Sequence, residues 1–193
     1  MTLSTLPKLL AGLTFFACST LFAAPLVVDV TGVESVGEIG DTANTVLSYN
    51  VGANAKITSI SYSFNLTAFD PSWLADFGVA FTDSDGIEGV VFNPGLLDTD
   101  PGTASYAGSA NLVDLGLDFN VGSDGILRIE FYEDYDDFPG VDGVWNFGNI
   151  TFGIEPASVP EPSTALLMGA GVVLMGYGRR RRAARSERAA AVQ

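Results

Sequence analysis

The stretch Ser59-Ile60-Ser61-Tyr62-Ser63-Phe64-Asn65-Leu66, SISYSFNL, decides the fold class. Large apolar side chains stand at 60, 62, 64 and 66, and small polar ones at 59, 61, 63 and 65. A period of two puts the apolar set on one face of a β-strand and the polar set on the other. A helix would scatter both sets around its circumference. One face is therefore expected in a core and the other in water, as in an antiparallel sheet covered on one side.

The same alternation recurs on both sides. Val113, Leu115, Leu117, Phe119 and Val121 alternate with Asp114, Gly116, Asp118 and Asn120. After the turn Gly122-Ser123-Asp124-Gly125, Leu127, Ile129 and Phe131 alternate with Arg128, Glu130 and Tyr132. Two such runs across a short Gly-containing loop predict a β-hairpin. Further strands are expected at Leu26–Val30, Thr45–Val51, Phe77–Phe81, Ile87–Phe92 and Val144–Ile154. The last changes parity between Trp145 and Phe147 on one side and Ile150, Phe152 and Ile154 on the other, and Gly148 is the expected site of a bulge that restores it. The segment Phe69–Asp76 predicts a short helical turn, capped by Asp70 or Ser72 and with Pro71 at its first position. The result is an all-β expectation, an antiparallel β-sandwich or jelly-roll-like body over residues 24–155.

Charge divides the chain. Residues 24–155 carry 21 Asp and Glu against Lys56 and Arg128 alone, a net of −19. Residues 160–193 carry six arginines against Glu161 and Glu187, a net of +4. The body has no basic cluster to neutralise phosphates, so nucleic acid is not an expected partner. Histidine is absent, and the single cysteine, Cys18, lies near the N-terminus.

Both ends read as addresses. Lys8, the apolar run Leu9–Ala17 and the small residues before Pro25 predict a secretory signal helix over residues 1–23, cut after Ala23 and handled by the Sec export machinery. Its removal would leave the exported form without cysteine, and so without disulfide, thiol nucleophile or thiolate metal site. At the other end, residues 156–163 form a Pro-rich linker that contains Pro160-Glu161-Pro162-Ser163. Residues 164–178 are uncharged and are expected to form a transmembrane helix. As a helix they span roughly 22 Å, short of a ~30 Å hydrocarbon core unless arginine stems extend it. Arg179, Arg180, Arg181 and Arg182 then act as a membrane stop, and the positive-inside rule leaves residues 179–193 as a basic cytoplasmic tail.

This order of linker, Pro-Glu-Pro, short Gly-rich apolar helix and arginine cluster resembles the PEP-CTERM sorting signal of Gram-negative bacteria that make exopolysaccharide. The resemblance covers about Ser158 to Arg185. It implies recognition by the membrane enzyme exosortase, processing at or near Pro160-Glu161-Pro162, transient residence in the inner membrane, and delivery to the cell surface or matrix. The catalytic residues of that processing would belong to the enzyme. The run from Ala183 to Gln193 is longer than the pattern leads one to expect. The body resembles no family.

Within the body, Glu133, Asp134, Asp136, Asp137 and Asp142 form the densest acidic group. Hard cations take several oxygen ligands, so calcium is the candidate cofactor there. The lesser group Asp83-Ser84-Asp85-Gly86-Ile87-Glu88 lacks an EF-hand's twelfth-position glutamate, because Pro94 stands there. Both acidic groups also suit wet turns. Trp73 and Trp145 are candidate sugar platforms, since apolar sugar faces stack on aromatic rings; both equally suit a core. The pair Glu130 and Glu133 fits a glycosidase only as any two carboxylates do. The primary expectation is therefore a non-catalytic, structural or adhesive surface protein. A glycan- or calcium-binding module is the alternative, and a secreted hydrolase stands behind both.

Overall fold

A computed structural model describes residues 24–136, 139–157 and 171. The expected signal peptide, the Pro160–Ser163 motif, the apolar helix over residues 164–178 and Arg179–Arg182 lie outside the described residues, apart from Gly171. The chain divides into two units, Met1–Pro156 and Ala157–Gln193. Among the described residues no helix is long and apolar enough to cross a membrane.

Among the described residues ten strands build the first unit: β1 Leu26–Asp29, β2 Val33–Ser35, β3 Thr45–Asn50, β4 Lys56–Ala68, β5 Phe77–Thr82, β6 Gly89–Phe92, β7 Gly102–Asn111, β8 Phe119–Asn120, β9 Ile126–Glu133 and β10 Gly143–Glu155. One sheet has the order β1-β10-β4-β7, with β2 added to β10 and β8 to β4. The other has the order β3-β9-β5-β6. Every strand pairing is antiparallel. The chain crosses from sheet to sheet in the manner of a double-sheet jelly roll, as the alternating apolar pattern leads one to expect.

The period-two pattern of β4 does what its sequence demands. Ile60, Phe64 and Leu66 are buried, Tyr62 packs partly buried beside them, and Ser61 and Ser63 are exposed. Trp145 is the hinge of the core. Its ring meets Phe64 of its own sheet at 4.6 Å and Phe131 of the facing sheet at 5.2 Å, both edge-on. Leu127, Ile129 and Phe131 on β9 and Val79 and Phe81 on β5 complete the packed interior.

Three local expectations are corrected. Residues 113–121 do not form one strand, and no hairpin joins them to β9. Leu112–Leu115 is a turn of helix, α1, whose first amides, on Val113 and Asp114, are capped by the Asn111 side chain. Gly116 ends it in the left-handed conformation, at φ 67°. Capping and the glycine stop override an apolar alternation whose Val113, Leu115 and Leu117 all face solvent. The short β8 that follows pairs with β4, whereas β9 belongs to the other sheet.

The bulge in β10 falls at Asn146 rather than Gly148. Trp145 pairs with Leu66 and Phe147 with Asn65, so Asn146 is the extra residue. Its side-chain amide is held by Asn65 Oδ1 at 2.7 Å and Thr67 Oγ1 at 2.8 Å. The bulge puts Trp145 on the face of Ile150 and Phe152 and sends Phe147 to solvent. Gly148 serves a different need, because a Cβ there would overlap the backbone of Ser63 and Phe64.

The turn before β5 begins later than its sequence suggests. The 3₁₀ segment is Leu74–Asp76, preceded by a cis Asp70–Pro71 bond. Asp76 receives the Trp73 amide at 3.0 Å, and Ser72 is withdrawn into the interior instead of capping.

Candidate functional site

One end of the sandwich gathers the chemistry. Three loops meet there: 69–76 after β4, 93–101 after β6, and 134–142 after β9. Main-chain bonds lace them together. The amide of Phe69 donates to the Asp142 carbonyl at 2.7 Å, that of Ala75 to Asp98 at 2.9 Å, and that of Asp134 to Asp76 at 2.8 Å. Segment 35–37 joins them, its Ser35 and Gly37 carbonyls accepting from Asp142 at 3.1 Å and Glu133 at 2.9 Å. Asn93 braces the same corner. Its amide donates to Asp134 Oδ2 at 2.7 Å, and its carbonyl oxygen accepts from the Tyr132 hydroxyl at 3.2 Å.

Beneath these loops the polar side chains of Ser72, Glu133 and Asp142 are fully buried, as is Ser35 on the adjoining segment. Strand parity explains the position of Glu133, which follows Leu127, Ile129 and Phe131 on the core face of β9. The Ser72 hydroxyl donates to Asp142 Oδ1 at 3.5 Å. The carboxyl of Glu133 is pushed up to about 9, first by burial. The Ser72 hydroxyl draws it down, while Asp142 and Asp76 push it further up. Neither Glu133 oxygen meets a partner at hydrogen-bonding geometry. Ser72 and Asp142 act on it as near neighbours.

Of the five acidic residues expected to act together, Glu133 and Asp142 meet here. Asp134 faces outward to Asn93, Asp136 is exposed, and Asp137 lies outside the described residues. Among the described residues no three acidic side chains converge with metal-ligand spacing. Trp73 is 46% exposed, as are Phe69 at 44% and Tyr135 at 68%, whereas Trp145 is fully buried and donates its indole N–H to Ser35 Oγ at 3.1 Å. The two tryptophans therefore form no shared platform, and Trp145 offers no face to a sugar. Ser72 as a polar partner escaped the sequence, where it reads as a cap; only its place ahead of an amphipathic turn hinted at burial.

Glu130 and Glu133 do not make a catalytic pair. Three residues apart on a strand, they point to opposite faces. Glu130 is engaged by Arg128 at 2.7 Å, the Gly40 amide at 2.7 Å and the Asn44 amide at 3.0 Å. Asp83 is spent on its own turn, accepting from the Ile87 amide at 2.8 Å. Open concavities lie elsewhere, along Ser59–Ser61 with Ser109–Asn111 and between Gly40, Ser84–Gly86 and Arg128.

Comparison with known proteins adds the tail. The PEP-CTERM protein-sorting motif matches residues 158–182. The chain thus carries the signal of an exported protein sorted through exosortase, from a membrane-anchored precursor to the cell surface. None of the curated proteins compared matches it. Among solved structures, the coat protein of tobacco streak virus is similar at 12% identity and TM-score 0.27, with 72% of this chain and 90% of that chain covered. Tomato aspermy virus follows at 10% identity and TM-score 0.30, with 81% and 90% covered. The infectious bursal disease virus VP2 subviral particle stands at 14% identity and TM-score 0.29, with 69% and 34% covered.

Proposed function

We propose that this chain is a non-catalytic structural or adhesive protein of the cell surface or exopolysaccharide matrix of a Gram-negative bacterium. The observation that carries this reading is the sorting motif at residues 158–182, which follows directly on a jelly roll whose last strand ends at Glu155. In this reading Met1–Ala23 is removed on Sec-dependent export. Residues 164–178 hold the precursor in the inner membrane, and Arg179–Arg182 keep its end cytoplasmic. Exosortase then acts at or near Pro160-Glu161-Pro162. A transient, underlength span suits a helix that is held and then released.

The experiment is the triple substitution of Pro160, Glu161 and Pro162 by alanine, with fractionation of inner membrane, outer surface and medium. The variant is expected to stay in the inner membrane. Normal surface delivery overturns the sorting assignment.

A second reading, a glycan-binding module, draws on one observation. Trp73, Phe69 and Tyr135 are exposed in the loops of this end, whose sequences also carry Asp70, Asp98 and Asp136. A glycan array probed with the wild-type protein and Trp73→Ala separates the two readings, since only a binding module loses a defined signal.

A further inference from the structure

β7 is the longest outer strand of the sandwich. It runs for ten residues, Gly102–Asn111, and pairs with β4 along its whole length without a register break. No other outer strand among the described residues exceeds six. An outer strand offers every second amide and carbonyl to any chain that lies alongside, and proteins ordinarily protect such edges by charge, proline, a bulge or brevity. β7 has none of these devices, because its sequence GTASYAGSAN holds no charged residue and no proline. From Gly102 to Ala110 its main chain bonds, among the described residues, to β4 alone.

We propose that β7 is the joint of a two-fold dimer, in which β7 of a second copy adds antiparallel to it and makes one continuous sheet through both bodies. Charge selects the occupant. Residues 24–155 carry a net of −19, so two copies repel one another over most of their surface. Along β7 that repulsion is weakest, since the first charges on either side, Asp100 and Asp114, lie beyond its ends. Strand parity selects the register. Thr103, Ser105, Ala107, Ser109 and Asn111 face solvent and the positions between them face inward, and a paired strand must match that alternation. A two-fold centred on Ala107 meets this demand. It sets Ser105 opposite Ser109 of the other copy and Tyr106 opposite Gly108, so no two large side chains collide. Exposed apolar side chains flank the edge as well: Leu96 and Leu97 in the loop before it, and Val113 and Leu115 in α1 after it. Antiparallel addition brings the loop end of one copy to the α1 end of the other, where both sets leave water. The joint concerns the body alone and is independent of the route taken by the tail.

The test is sedimentation equilibrium of the full chain in density-matched detergent, at about 0.3 M salt to screen the net charge. The wild type is expected to show a monomer–dimer equilibrium and no larger species. Ala107→Lys sets like charges against each other at the two-fold and is expected to raise the dissociation constant about tenfold or more. Ser105→Lys with Ser109→Lys is expected to do the same, although both changes lower the net negative charge. Ser105→Lys with Ser109→Glu, where opposite charges face across the joint, is expected to stay within about threefold of the wild type. All three positions are exposed, and circular dichroism checks that each variant is folded. A second measurement fixes the register. In a Cys18→Ala background, Ala107→Cys is expected to cross-link on mild oxidation, because facing residues of paired strands stand about 4.5–5.5 Å apart at Cα. Ser48→Cys, exposed on β3, is expected not to. A wild type that stays monomeric at its highest soluble concentration overturns the proposal. So does a dimer that Ala107→Lys leaves intact, open-ended oligomers in place of dimers, equal affinity of the two charged double variants, or equal cross-linking of Ala107→Cys and Ser48→Cys.

Discussion

The indole N–H of Trp145 reaches Ser35 Oγ at 3.1 Å, and both groups are sealed from solvent. The bond ties the short strand β2 to the aromatic centre of the sandwich. Trp145→Ala removes the ring that joins Phe64 to Phe131 and is expected to cost about 3–5 kcal/mol. Trp145→Phe keeps most of the volume but strands the serine hydroxyl, at a cost of about 1–3 kcal/mol. Urea unfolding of both variants checks the order. Equal stability of Trp145→Ala and the wild type would remove this ring from the core.

Gly78 and Tyr132 are cross-strand partners on β5 and β9. A Cβ at residue 78 would overlap the tyrosine ring. Gly78→Ala is expected to displace Tyr132 and destabilise the fold by about 1–3 kcal/mol, read as a lowered urea midpoint. In the double variant Gly78→Ala with Tyr132→Ala, the two losses are expected to be less than additive, because the second change removes the clash.

Asn44 is a small residue with four bonds. Its carbonyl oxygen accepts from the Val36 and Gly37 amides at 3.3 and 3.0 Å, and its amide donates to the Glu38 carbonyl at 2.8 Å and to Glu130 Oε1 at 3.0 Å. Asn44→Ala is expected to cost about 2–4 kcal/mol, since it leaves buried partners unsatisfied. Hydrogen exchange is expected to quicken at Val36 and Gly37 while β4 stays protected.

Glu133 predicts a pH dependence of stability. Its carboxyl titrates near 9 in the fold against an ordinary 4.5, mainly through burial. The folded state thus holds this proton more tightly than the unfolded chain does. Its contribution to stability is fully present below about pH 4.5 and declines as pH rises towards about 9. Glu133→Gln is expected to flatten that decline and to exceed the wild type in Tm at pH 8. Parallel pH profiles for the two proteins would refute it.

How much of this was legible depended on side-chain size. In β4 and β5 large apolar residues mark the strand without ambiguity. In β7 the inward positions are Ala104, Tyr106, Gly108 and Ala110, too small a set to announce a strand, although β7 pairs with β4 over ten residues. Gly108 is small because the Tyr62 ring lies over it. The reverse error arose at 113–121, where alternation is present but Asn111 and Gly116 impose a cap and a stop. The acidic group was visible in the sequence, but the burial of Glu133 and Asp142 was not. Composition treats every carboxylate as wet, and only strand parity and the loops folded over it turn Glu133 inward.

The register of β10 also defines the two poles of the body. Its last residue, Glu155, lies beside Lys56, and Leu26 lies opposite Phe152, so the first strand begins and the last strand ends at one pole of the body. Its first residue, Gly143, lies beside Ala68, at the pole of the three loops. Twelve residues of strand separate the two poles, roughly 40 Å. Trp73, Tyr135 and the buried carboxyl pair thus stand at the pole of the body opposite Leu26 and Glu155.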